Sequence, residues 1–456
     1  MEKSRLLRLL RTLSRQEMRG LKKFVANPFF NQRKEVPALL DLLEKSLKTE
    51  RVLPDKRQAY RQIFSGSEPD DHRVRMTMSF LYQLTGQFLA VQSFLEDRQQ
   101  YHRRLATIAR QRNVPELFHR SWEEARVAQQ TPPLRNAQFY EEQYQLSLEK
   151  YRFDVENHPA GQIDFQDLSN QLDTAFLARK LWQACFMLSH QTVRNTPYHF
   201  GLLDTVLEYA AQTKAWETPA ISLYYHCYLA LANPAEKAHF QQFKTLLLQH
   251  GELFSTEELR DLYILAINFC IRQYNAGNPD FLPEQFDFYK AGLAKKYFLS
   301  DGVLSRYTYQ NAATIGLVMH ELEWVERFVH DYRSALREEH RESLFSFNLA
   351  RLEYQRRNLG QALQLLQKAD YKDLLLNLAA KTLQLKIFYE LGEFDLLESH
   401  LQAIRAFIRR KKVMGYHREN YLNTVHFIQK LLEHQQYDKT ARSALRREIE
   451  ETKAVA

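Results

Sequence analysis

Adjacent carboxylates, evenly spaced histidines and three isolated cysteines are the side chains of this chain whose types and spacing could do chemistry. Glu123 with Glu124 and Glu141 with Glu142 are candidate acid and base pairs. Such pairs need a pocket and a third group to orient them, and both fall on stretches that read as solvated helix faces. Sixteen histidines invite a metal. Two imidazoles on one helix share a metal at i, i+4 spacing, whereas His320, His330 and His340 are ten apart and His417 and His426 nine apart. Surface and cap positions account for them. Cys185, Cys227 and Cys270 form no Cys-x-x-Cys pair, are too few for a disulfide framework and suit a reducing compartment. The chain holds no G-x-x-x-x-G-K-S/T or G-x-G-x-x-G phosphate cradle, no H-E-x-x-H zinc site and no G-x-S-x-G nucleophile turn. The expectation is a non-enzymatic protein with no cofactor and no metal.

Charge offers a second kind of chemistry. Residues 1 to 34 hold ten Lys or Arg side chains against Glu2 and Glu17, so the whole net charge of +8 sits there and the rest of the chain balances. Arg8, Arg11, Arg15, Arg19 and Lys22 recur at i, i+3 or i+4, with Lys23 beside them, and would share one face of a continuous helix. Ser14 with Glu17 instead forms a capping box, which predicts a break near Leu13 and a fresh helix from Arg15 to Ala26. This cluster suits an anionic partner: nucleic acid, an acidic protein or a membrane surface. The Asn27-Pro28-Phe29-Phe30 stretch that follows stops the helix, because a residue before proline avoids the helical region, and both phenylalanines are placed to pin the corner. Farther on, KKYFLSDGVLSRYTY (295 to 309) interleaves cations with aromatics. That mix can stack single-stranded bases, and filling gaps between helices is the simpler use. The RRKK run at 409 to 412 closes a helix whose C-terminus welcomes cations.

The elements that would carry these residues are helices. The chain has 456 residues, 45% hydrophobic and 26% charged, with only 13 glycines and 13 prolines and few β-branched runs. No apolar stretch is long enough to cross a bilayer, and Arg8 splits the N-terminal leucines as no secretory signal would be split. A cytoplasmic protein is expected. Helices are read over 36 to 48, from Pro54 to about Phe64, and from Asp70 to about Arg112, the last either continuous or broken near Gln99. Beyond that point the helices come in pairs across Pro, Gly and Asn breaks. Cys185, Cys227 and Cys270, 42 and 43 residues apart, mark the first helix of successive pairs, where a small side chain permits close helix contact. Trp324, Leu359 and Phe394, 35 apart, are each followed by the start of a second helix.

Fixed-period helix pairs are the mark of an α-solenoid. Residues 348 to 369, NLARLEYQRRNLGQALQLLQKA, resemble a tetratricopeptide repeat. Leu349 and Ala350 occupy the first-helix Leu-Gly positions, Leu359 the turn aromatic, and Ala362, Leu366 and Ala369 the second-helix Ala, Phe and Ala. Residues 386 to 404 match through Phe388, Gly392, Phe394, Leu401 and Ile404, whereas Arg327 and Asp331 depart from the pattern around Trp324. The first hundred residues are vaguely similar to the start of uncharacterised bacterial helical proteins, a likeness that implies no function. The tetratricopeptide resemblance implies a concave groove lined by first helices. Its register places Tyr309, Met319 and His320, then Arg351, Tyr354 and Gln355, then Lys386, Tyr389 and Glu390 along that groove, with Arg351 and Lys386 equivalent one repeat apart. The family's asparagine-based carboxylate clamp is missing.

The expected architecture is therefore all-α: a tetratricopeptide-like superhelix of antiparallel helix pairs with a basic helical N-terminal region. Residues 1 to 112 form that region, 113 to 300 repeat with a period near 42, and 301 to 456 with a period near 35 and capping helices. The expected function is a scaffold or adaptor for a protein partner, with nucleic-acid or acidic-surface binding through residues 3 to 34 as the alternative and an enzyme of unknown type third.

Overall fold

Caps written into the sequence set where the helices begin. In the computed structural model, which describes residues 4–48, 55–64, 69–157, 165–410, 416–433 and 439–452, twenty-two α-helices account for most of the chain. The chain divides into two compact units. One comprises residues 1–133 and 137–176, the other 134–136 and 177–456. Among the described residues no helix is long and apolar enough to cross a membrane.

In the first unit, α1 (Arg5–Leu10) starts at Ser4, whose hydroxyl accepts from the Leu7 amide. The expected break follows, and α2 (Arg15–Ala26) opens with the Ser14/Glu17 capping box, both of its hydrogen bonds formed. Leu6, Leu7, Leu10, Leu21 and Val25 then face inward onto α3 (Glu35–Lys48), α4 (Lys56–Ile63) and α5 (Asp71–Glu96), meeting Leu39, Leu43, Leu81 and Phe88 in one core. Gly20 lets α2 approach α5 closely, since a Cβ there would lie 2.8 Å from the Phe88 ring. The long stretch after Asp70 is two helices. Asp97 ends α5 and caps α6 (Arg98–Gln111) through the Gln100 amide at 2.9 Å. Then come α7 (Pro115–Gln130), α8 (Ala137–Asn157) and the start of α9 (Phe165–Arg194). Stacking of Phe118 on Phe153, with centroids 3.8 Å apart, ties α7 to α8. Arg110 of α6 meets Glu149 at 2.6 Å and Glu156 at 2.5 Å.

The corner after α2 corrects one expectation. Phe30 turns inward and stacks on Phe24 at 3.9 Å, but Phe29 points out and is 86% exposed. A two-sided turn cannot bury consecutive side chains on the same side, so one phenylalanine pins the corner.

The second unit continues with α10 (Leu203–Gln212), α11 (Pro219–Ala232), α12 (Lys237–His250), α13 (Thr256–Asn275), α14 (Phe281–Ala294), α15 (Arg306–Val318), α16 (Leu322–Asp331), α17 (Glu338–Gln355), α18 (Leu359–Lys368), α19 (Leu374–Leu391), α20 (Phe394–Arg410), α21 (Tyr416–Glu433) and α22 (Lys439–Glu451). Consecutive helices pack as pairs, and the first helices α15, α17, α19 and α21 also touch in succession. Left-handed residues recur in the turns within pairs: Gly277, His320, Arg357 and Gly392. Cys185, Cys227 and Cys270 are buried free thiols on α9, α11 and α13, and burial raises the pKa of the last two. Between α14 and α15 the Asp301-Gly302 turn closes a hairpin pairing Leu299–Ser300 (β1) with Val303–Leu304 (β2), the one strand pair among the described residues. Phe298 and Tyr309 from this cation-aromatic stretch are core residues, whereas Tyr307 is exposed beside Arg306, so packing consumes part of the rings that would otherwise stack bases.

Candidate functional site

The first helices of the last four pairs enclose a cavity of about 390 Å³. Gln310 and Thr314 of α15, Phe347 and Arg351 of α17, Thr382 and Lys386 of α19, and Asn420 and Tyr421 of α21 line it. The first three pairs of residues are spaced i, i+4, which puts both members on one helix face. Thr314, Arg351, Lys386 and Tyr421 form a column with steps of 37, 35 and 35 residues. One stripe per helix, repeated at the period of the pairs, therefore builds the lining.

Two cations dominate its electrostatics. Arg351 donates from Nη1 to the Thr314 hydroxyl at 2.8 Å and lies over the Phe347 ring at 5.7 Å. Among the described residues no carboxylate pairs with it or with Lys386, whereas Arg110, Arg306 and Arg356 each meet at least one. Lys386 is exposed along its side chain, whereas packing around the guanidinium leaves Arg351 short of water. This desolvation lowers the Arg351 pKa to about 10. It also depresses that of Lys386, with the Arg351 charge as the second cause. Both shifts measure the cost of holding a cation where water is scarce and no anion is near. The Asn420 side-chain oxygen is buried there without a donor. No carboxylate, imidazole or thiol is among the lining residues, so the chemistry on offer is charge neutralisation and hydrogen bonding.

The other expected groove residues go elsewhere. Tyr309 is fully buried and donates its hydroxyl proton to the Val329 carbonyl at 2.8 Å; its ring fills the core beside Phe328. Met319 caps α15, and His320 occupies the left-handed turn position beyond it, so both lie past the end of the groove-facing helix. Tyr354 and Arg357 both donate to Glu390, linking α17 to α19. Gln355 donates to the Leu317 carbonyl at 3.2 Å. Tyr389 faces outward beside Phe394. Sequence reasoning missed Gln310, Thr314, Phe347, Thr382, Asn420 and Tyr421. Extending the 35-residue step from Arg351 and Lys386 in both directions would have pointed near Thr314 and to Tyr421.

The basic N-terminal patch is also divided. The helix break places Arg8 and Arg11 at α1 and its cap, apart from Arg15, Arg19 and Lys23 on α2. These five are exposed and have no carboxylate partner among the described residues. Lys22 turns instead to Asp41 at 2.7 Å and Glu44 at 2.9 Å, which raise its pKa; it is a structural ion pair. Lys3, Lys411 and Lys412 lie outside the described residues, as does the side chain of His417. His320, His330, His340 and His426 do not converge, and no cluster of three potential metal ligands occurs among the described residues. Compared with protein families, curated proteins and solved structures, the chain matches none.

Proposed function

We propose that the paired helices of the second unit form a tetratricopeptide-like solenoid that acts as a non-enzymatic scaffold, holding an acidic segment of a partner protein over the Arg351–Lys386 cavity. The observation that carries this reading is the pair of cations adjacent in the column, half-buried Arg351 and exposed Lys386, without a carboxylate among the described residues. A buried charge without a counterion is costly and is retained where a ligand supplies the counterion. The recurrence of the lining at steps of 35 to 37, the contacts between successive first helices and the recurring left-handed turn positions all support a regular stack. A cavity of about 390 Å³ holds one or two side chains, so it serves as an anchor point within a longer contact.

Fluorescence anisotropy with a labelled peptide alternating Asp and Glu, against its Asn/Gln counterpart, tests the proposal. The acidic peptide binds, the neutral one does not, and Arg351→Glu with Lys386→Glu abolishes binding. Equal affinity of the wild type and the double variant would discard the cavity as the site.

A further inference from the structure

Phe29 is the most exposed large apolar side chain among the described residues, at 86%, and meets the Phe30 ring only edge-on at 5.0 Å. The corner that presents it is rigid. Asn27 is extended, as a residue before proline must be, and this ends α2. Its side-chain oxygen accepts from the Phe29 amide at 2.9 Å and its carbonyl from the Phe30 amide at 3.1 Å. Beneath the turn, the buried Asn31 amide donates to the Val25 carbonyl at 2.8 Å. Phe30 is held inward by Phe24, and Phe29 is thereby held outward.

A stripe of charge leads to this corner. Arg15, Arg19 and Lys23 are spaced four apart, so each lies about 40° around α2 from the last. They trace a shallow line along the exposed face, opposite buried Met18, Leu21 and Val25. The next position in that line is Asn27, the residue that fixes the turn. The nearby acid Glu17 is turned toward the Ser14 amide at the start of the helix and forms no ion pair with the stripe among the described residues.

We propose that this face of α2, with Phe29 at its end, docks the protein on an anionic lipid surface. Three unpaired cations meet the headgroups, and the outward phenyl ring inserts at the headgroup boundary. A single-stranded nucleic acid fits the arrangement less well. Base stacking uses aromatic platforms along a charged groove, whereas here one ring stands on an outward corner and its neighbour Phe30 is consumed by the core. This inference concerns the first unit and is independent of the cavity in the second.

Co-sedimentation of the full chain with vesicles tests it. Vesicles of phosphatidylcholine with roughly one-third phosphatidylserine retain the protein at low salt, and pure phosphatidylcholine vesicles do not. Arg15→Glu, Arg19→Glu and Lys23→Glu together weaken retention by roughly a hundredfold. Phe29→Ser weakens it by roughly tenfold, while Phe29→Trp preserves it. All four side chains are exposed, so circular dichroism and the thermal midpoint stay at wild-type values. Absence of retention, retention unaffected by Phe29→Ser, or tighter binding to single-stranded DNA or RNA at the same salt would each overturn the assignment.

Discussion

Arg351 donates to the Thr314 hydroxyl at 2.8 Å across 37 positions of sequence, joining two successive first helices through a neutral acceptor. The bond satisfies one guanidinium hydrogen, and no carboxylate among the described residues compensates the charge. Lys386, one step farther along the column and more exposed, has no carboxylate partner among the described residues and adds its own repulsion. Holding the two cations side by side costs stability, which a bound acidic segment would offset under the proposed function.

That relationship sets the first prediction. Lys386→Met keeps the aliphatic stem, removes the ammonium and relieves Arg351. The variant is expected to gain up to about 1 kcal/mol, limited because solvent still reaches the side chain, and to lose acidic-peptide binding by at least about tenfold. Urea unfolding and peptide anisotropy on the same sample check both. A variant that is less stable and binds equally well would make Lys386 an ordinary structural residue.

The all-α character and the helix pairing were legible because caps, breaks and apolar spacing are local signals. Ser14 with Glu17 and Asn27 with Pro28 placed boundaries to within a residue. The direction of each side chain was not local. Tyr309 and Arg351 both sit on first helices, yet one fills the core and the other lines the cavity, a difference set by how neighbouring helices rotate. Lys22 belonged to the basic patch by spacing, but Asp41 and Glu44 on α3 claimed it. The β1–β2 hairpin carries a local signal, Asp301-Gly302, which two-residue strands flanked by cations and aromatics leave indistinct in sequence.

Close packing within a pair rests on Gly316. A Cβ there would lie 2.6 Å from Cγ2 of Val325 and 3.1 Å from the Trp324 ring. Val325 is fully buried, and Trp324 is held by Phe328 at 5.0 Å and Phe286 at 4.9 Å, so neither yields easily. Gly316→Ala is expected to cost about 2 kcal/mol by overpacking. Gly360→Ala, with open space around it, is expected to gain about 0.5 kcal/mol from helix propensity. Thermal unfolding of the two variants side by side checks the contrast.

A buried carboxylate stabilises the start of α13. The Ser255 hydroxyl accepts from the Glu258 amide, while the Glu258 carboxylate accepts from the Asn136 amide at 2.7 Å and from the Tyr224 hydroxyl. Burial raises the Glu258 pKa and the two donors oppose the rise. Tyr224→Phe removes a donor without opening space, leaving an oxygen short of a partner. The expected loss is about 1–3 kcal/mol, and the Glu258 pKa should rise further. Denaturant midpoints and carboxyl titration by NMR measure the two effects.

Acid should weaken the second unit through two histidines. His226 Nδ1 lies 3.0 Å from His239 Nδ1, beneath the Trp216 ring, and burial together with the neighbouring imidazole lowers its pKa to about 4. Glu236 lies 3.5 Å from His239 Nε2 on the far side of that ring. His400 is lowered to about 4 by burial and by Lys381, against a hydrogen bond with the Lys381 carbonyl. A histidine whose folded pKa falls below the usual 6.5 binds fewer protons than its unfolded counterpart between those two values. Its stabilisation is thus complete above about 6.5 and is lost as pH falls towards 4. After allowance for the solvent-exposed part of each ring, each histidine should contribute a loss of about 1 kcal/mol between pH 7.5 and 5.5. Urea midpoints across that range should fall, and His226→Gln should flatten the slope by about half. An unchanged slope in that variant would remove His226 from the acid response.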